Sequence, residues 1–353
     1  MILIKPRPHP YYQASITPGW TADGQSAHVL VVKASYQSDQ NGCVTPLEQS
    51  APLCEQDQYP DDDAVGRALE LASDLAPFKA GSEILLYAHA WCASPRPSVK
   101  VSAELRMDNG IQWDKSLAVI GRRVWKNTLF GATPTEPEQL SDLPIRFEYA
   151  YGGHHPDDPD DACPTNPVGV GYLGRAGRRV ASKGMPLPQV ENPKRLMTRP
   201  NQRREPQGFG PLPSHWQPRQ KAFSGMNDEK AARGDYPYDG PLPETAYHSA
   251  PGDQWFDRPL EGDGTLTLTG LTKGLPEHQP LKIDLRIPRL AVAVRDESEQ
   301  SLSLAADTLI VETESQQFHV LYRHAFHGLP ERYIAEVELD DDSPTRRQES
   351  PDA

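Results

Sequence analysis

Apolar residues along this chain recur mostly with the two-residue period of β-strands rather than the 3.6-residue period of helices. Val99, Val101, Ala103 and Leu105 alternate with polar positions through 98–106, as in a half-exposed strand. Leu266 and Leu268 do so within 265–271, and Leu281, Ile283, Leu285 and Ile287 within 281–287. β-Branched residues fill 28–36, and 83–92 (EILLYAHAWC) has the composition of a buried strand. Segments 115–125 and 144–149 continue the pattern, and 302–311, 317–323 and 333–339 complete a second β region. Helical spacing is rare. Val65, Ala68, Leu69, Ala72 and Leu75 show it within 61–75, where Asp61 to Asp63 suit the N-terminal dipole and Pro77 gives a stop. That segment predicts the best helix, and 227–233, capped by Asn227 and closed by Gly234, predicts a short second one. The fold class expected is mainly β: an antiparallel sandwich or barrel-like body with few short helices.

Between the β regions the pattern breaks. Residues 143–219 read LPIRFEYAYGG, NPVGVGYLG, MPLPQVENP and PQGFGPLPSHWQPR, too rich in Gly and Pro for regular structure. Tyr151, Tyr172, Phe209 and Trp216 make the stretch too aromatic for a disordered linker. It is expected to be an ordered irregular layer on the β scaffold, and the functional surface. The organisation expected is an N-terminal β region (1–150), the Gly/Pro-rich layer (151–262), a C-terminal β region (263–339) and a charged, disordered tail (340–353). The two β regions are compatible with one composite domain.

Composition sharpens this picture. Pro, at 36 of 353 residues, is about twice its usual ~5% share, so loops must be extensive. A net charge of −13 argues against nucleic acid and membrane surfaces as partners. The charge is unevenly spread: residues 171–221 hold eleven Lys/Arg and two acids, a local +9 that leaves −22 elsewhere. Either this stretch lies against the acidic body, or it offers a basic face to an acidic partner. The four cysteines lack metal or redox spacing. The opening MILIKPRPHPYY lacks a signal-peptide core, and no apolar run nears the ~18 residues of a membrane helix. The expected location is the cytoplasm.

Candidate chemistry is sparse. Gly169, Gly171 and Gly174 match G-x-G-x-x-G, but Asn166-Pro167 precedes them and a basic, glycine-containing stretch follows, so the strand and helix that phosphate binding needs are missing. His154 and His155 with Asp157, Asp158, Asp160 and Asp161 offer metal donors. As a calcium loop this run fails, with Ala162 and Val168 where Gly and Glu are required. There is no G-x-S-x-G elbow, Cys92 sits in an apolar strand, and His319, His324 and His327 lack a nucleophile. We therefore assign no catalytic residue, metal or cofactor, and expect no enzyme. A metal-dependent hydrolase using the His154/His155/Asp cluster is the alternative, as is a structural subunit of a secretion or phage-like particle.

Recognition remains. Tyr149, Tyr151, Tyr172, Phe209, Trp216 and Arg219 are residue types that anchor interfaces and are the candidate partner-binding residues; otherwise they pin the loops to the sheet. An ordered series of motifs accompanies them: SDLAPFK (73–79), IGRRVW (120–125), LPIRFEYAYGG (143–153), NPVGVGY (166–172), LPQVENP (187–193), GFGP (208–211), WQPR (216–219), HSAPGDQ (248–254) and DTLIV…LYR (307–311, 321–323). Through these the chain resembles, over about 28–323, a bacterial family of uncharacterised-domain proteins encoded beside type VI secretion spike genes. Glu83 departs from the family pattern, where an Asp is expected. The resemblance implies an adaptor or chaperone that binds a cognate effector (a toxin) and loads it onto a VgrG or PAAR spike protein. It carries no catalytic residues.

Overall fold

Side chains in a strand alternate between two faces, and here the alternation builds two packed sheets. The computed structural model describes residues 5–6, 11–129, 131–174, 182–233, 235–295, 300–327 and 336–341. Its principal strands are β1 (Tyr12–Trp20), β2 (Ser26–Ser38), β3 (Ser82–Tyr87), β4 (His89–Arg96), β5 (Ser98–Met107), β6 (Gln112–Ile120), β7 (Gly262–Thr269), β8 (Pro280–Ile287), β9 (Leu290–Arg295), β10 (Gln300–Glu312), β11 (Gln317–His327) and β12 (Glu336–Asp341). The larger sheet runs β12-β9-β10-β11-β2-β1, and β3 joins it parallel to the second half of β10. The smaller is antiparallel, ordered Val190–Glu191, β6, β5, β7, β8. Among the described residues neither closes into a barrel. Each sheet takes strands from both ends of the chain: β2 pairs with β11, β3 with β10 and β5 with β7.

The main core lies between the sheets. Leu30, Val32, Ile84 and Leu86 of the larger sheet meet Val101, Leu105, Leu117 and Ile283 of the smaller. Each such burial stabilises by about 1.5–3 kcal/mol. The intervening residues face the other way: Lys33 and Ser35 on β2, Glu83 and Leu85 on β3, His319, Leu321 and Arg323 on β11. An outer face of this polarity usually meets water. Here it is buried, because residues 50–79 and 246–254 lie across it. Leu85, Ala250, Ile310 and Leu321 form an apolar patch within it.

The predicted strands at 28–36, 98–106, 265–271, 281–287, 302–311 and 317–323 are all present. The apolar run 83–92 is two strands, β3 and β4. Segment 115–125 divides between β6 and the separate strand Trp125–Thr128, and 144–149 turns through a 3-10 helix at Phe147–Tyr149. The short helix forms at Asp228–Arg233 with Asn227 Oδ1 accepting from Lys230 N at 3.0 Å; Gly234 lies outside the described residues. Of the predicted tail, Asp340 and Asp341 belong to β12, and 342–353 lie outside the described residues.

The helix expected at 61–75 is absent. Only Pro60–Asp62 makes a 3-10 turn, and Asp61 and Asp62 have positive φ. The helical donors are diverted instead. Asp63 accepts from Gly66 N at 2.8 Å, Glu148 from Ala68 N at 3.2 Å, Tyr87 Oη from Ala72 N at 3.1 Å and Asp57 from Ser73 N at 2.9 Å. Ala68 and Leu69 are buried as the spacing suggested, but Val65 is 84% exposed. Leu30→Ala is expected to lower the unfolding free energy by about 2–5 kcal/mol in urea titrations, whereas Val65→Ser should stay within about 0.5 kcal/mol.

Candidate functional site

Glu83 anchors the buried polar face. Parallel pairing sets it beside Thr308 of β10, and its side chain has no exposure to water. Lys79 Nζ lies 2.5 Å from its Oε1 and 2.8 Å from Thr308 Oγ1. The amides of Ser249 and Ala250 each donate to Oε2 at 2.9 Å, and His248 Nδ1 is 3.2 Å away. Burial alone would push this carboxyl up, but the Lys79 ammonium and His248 hold it well below the usual carboxylate range. The network continues through Thr308 Oγ1, which donates to Asp307 at 2.8 Å, to Arg323, whose Nε donates to Asp307 at 2.7 Å. Arg323 also reaches the carbonyls of Asp74 and Ala76, and Asp74 pairs with Lys33 at 3.0 Å. Lys79, Glu83, His248, Asp307, Thr308 and Arg323 were not predicted as a site. All but Glu83 lie in the quoted motifs SDLAPFK, HSAPGDQ and DTLIV…LYR, so their signal was the motif order rather than any local periodicity.

Two further ionic contacts fasten the irregular layer, one half-exposed at Asp253 and one buried at Glu191. Lys115 Nζ donates to Asp253 and Gln254 at 2.8 Å, and Gln254 Nε2 donates to the carbonyls of Ile84 at 2.7 Å and Phe209 at 3.0 Å. Burial pushes the Lys115 ammonium down against the pull of Asp253. Arg123 donates to Glu191 and to Pro188 O. Burial pushes the Glu191 carboxyl up, outweighing the Arg123 charge.

The six predicted partner-binding residues are mostly interior. Phe209 belongs to the main core. Tyr151 and Tyr172 pack with Trp125, Leu187 and Met197. Trp216, 1% exposed, meets Phe147 edge-on at 5.7 Å. Tyr149 is half-buried against the main core. These five act as pins, the alternative recognised in the sequence. Arg219 is buried too, but it lines a cleft of about 840 Å³ with Phe223, Tyr238, Tyr247 and Met226.

The other motifs have structural uses. A Cβ on Gly169 would lie 2.4 Å from Asn166 Nδ2 and 2.6 Å from Ala150 O, so this glycine permits close backbone packing. Asn166 itself donates to Phe147 O and Tyr151 O. His154 is exposed while His155 is buried, and among the described residues no three His, Cys, Asp or Glu side chains are grouped to hold a metal. The four thiols are free, and burial pushes that of Cys92 up. Among the described residues no helix is long and apolar enough to cross a membrane. Within the basic stretch, Lys194, Arg195, Arg199, Arg203 and Lys221 are exposed, and none makes a salt bridge among the described residues.

Fold and site together define a β-sandwich whose larger sheet has a buried ionic face roofed by an irregular layer. The chain belongs to the family described as uncharacterized protein conserved in bacteria (DUF2169), whose profile matches residues 23–323. No curated protein and no solved structure gives a significant match.

Glu83→Gln is expected to cost about 3–5 kcal/mol, because it leaves the buried Lys79 ammonium without a counter-charge. The folded state keeps Glu83 ionised below the unfolded value near 4.5, so its contribution is complete above that value and declines as pH falls toward the folded one. Denaturant titrations from pH 6 to 3 should show the parent losing more stability than Glu83→Gln. Trp216→Ala should lower stability by about 3–5 kcal/mol by emptying its cluster, read as a fall in melting temperature.

Proposed function

We propose that the protein is a non-enzymatic, cytoplasmic adaptor of bacterial type VI secretion that binds a cognate effector and loads it onto a VgrG or PAAR spike. The observation that carries this reading is the pairing, on one irregular layer, of exposed basic side chains with an aromatic-lined cleft of about 840 Å³. The motif series adds the secretion context. Ionisable groups in the buried network are engaged with one another: both ring nitrogens of His248 face acceptors, Glu83 Oε2 at 3.2 Å and Ala80 O at 2.8 Å. Such groups serve architecture better than acid–base turnover.

An adaptor needs two interfaces, each of about 1,200–2,000 Å². The charge distribution suits two partners: an acidic body steers a basic cargo, and the basic layer meets an acidic surface. The mechanism is capture and delivery, with specificity set by shape and charge.

Precipitation of the tagged protein from secretion-active cells should recover the neighbouring toxin and the spike protein; recovery of neither overturns the proposal. Co-sedimentation with assembled sheath without any toxin would instead identify a structural subunit. The association rate with the toxin should fall severalfold as salt rises from ~0.05 to ~0.5 M, because screening shortens the reach of surface charge.

A further inference from the structure

We propose that the cleft lined by Phe223, Tyr238 and Tyr247 receives the C-terminal end of a partner protein chain, with its terminal carboxylate on Arg219 and its last apolar side chain on the rings. That the partner is a protein rests on the adaptor reading above.

Arg219 lies at the centre of the cleft's chemistry. Three buried guanidinium groups can be compared. Arg123 pairs with Glu191 and Arg323 with Asp307. Arg219 is 8% exposed, yet makes no salt bridge among the described residues. Its Nη1 donates to Leu212 O at 2.7 Å, and its Nε is buried without a hydrogen-bond partner among the described residues. Burial of a charge without a counter-ion is costly. Asp57 lines the same cleft and attracts the guanidinium without reaching ion-pair contact. A ligand carboxylate supplies what the fold omits, and Nη2, which makes no hydrogen bond among the described residues, is the group left to meet it.

The surroundings specify the rest. Phe223 meets Tyr247 edge-on at 5.3 Å and lies 6.0 Å from the Arg219 guanidinium, so cation and rings share one surface. Met226, 53% exposed, and the exposed Lys221 mark the rim, while Arg219 and Ser249 mark the floor. A charge at the floor favours a chain end, which enters end-on, over an internal segment lying across the rim. Asp57 accepts from Ser73 N through Oδ1, leaving Oδ2 to take the last amide of the incoming chain. The volume falls within the ~300–1,000 Å³ typical of small-ligand sites, enough for a few terminal residues.

The test uses the full chain and fluorescent pentapeptides ending in Phe or Leu, as free acids, as C-terminal amides, and as amides with an internal Glu. Free acids should bind, with both amide series at least about tenfold weaker, as expected for loss of a charge-assisted contact. Arg219→Gln should abolish the preference for the acid. Should that variant fail to fold, Met226→Asp at the exposed rim must weaken binding about tenfold with an unchanged melting temperature. Equal binding of acids and amides, stronger binding of the internal Glu series, or no binding at millimolar peptide overturns the assignment. If Met226→Asp still recovers toxin and spike like the parent, the cleft assignment falls and the adaptor stands. If free acids bind but neither partner is recovered from cells, the adaptor falls and the cleft assignment stands.

Discussion

A carboxylate sealed from water must find its compensation inside the protein, and Glu83 finds it in two separate stretches of chain. Lys79 comes from the loop before its strand and is itself steadied by Thr308 of the parallel neighbour, and His248 with two backbone amides comes from the far side of the irregular layer. Removing either partner of such a pair strands the other, so the loops carrying them are fixed in place. Apolar residues of similar volume would stabilise an interior about as well, but they would not specify which loop sits against which strand. Here the charges have a positional role: they select one arrangement of segments that lack helical or strand hydrogen bonding of their own.

From that anchor the layer is fastened in stages. Gln254 ties the HSAPGDQ turn to Ile84 of β3 and to Phe209. Phe209 O also accepts from Leu86 N at 3.2 Å, so the GFGP segment edges β3 in the manner of a strand. Arg123 and Glu191 hold a second corner, and small clusters around Trp216 and Trp125 fill the space between. The outcome is an irregular surface of defined shape, which recognition of a partner requires.

The strands were legible because alternation is local: Val99 to Leu105 shows it within seven residues. The helical spacing at 61–75 misleads for a reason equally physical. Ala68, Leu69 and Ala72 do face inward, but Glu148 and the Tyr87 hydroxyl capture the donors a helix would have used, and neither partner is near in sequence. Polar residues alternating on β2, β3 and β11 imply a wet face on pattern alone. Nothing local reveals that residues 50–79 and 246–254 cover it. The ionic site was illegible for the same cause, since Glu83 and His248 stand 165 positions apart. Tyr151, Phe209 and Trp216 are buried where they stand in the middle layer, yet residue type alone does not separate an interior pin such as Trp216 from a cleft residue such as Arg219.

The parallel alignment of β3 with β10 carries a consequence for biosynthesis. Glu83 leaves the ribosome 225 positions ahead of Thr308, which at ~5–20 residues per second is a wait of roughly 10–45 s. Throughout that interval the apolar residues Ile84, Leu85 and Leu86 lack the neighbour that β10 later supplies. The larger sheet therefore cannot close around β3 until translation is nearly finished, because its partner β10 is among the last strands made.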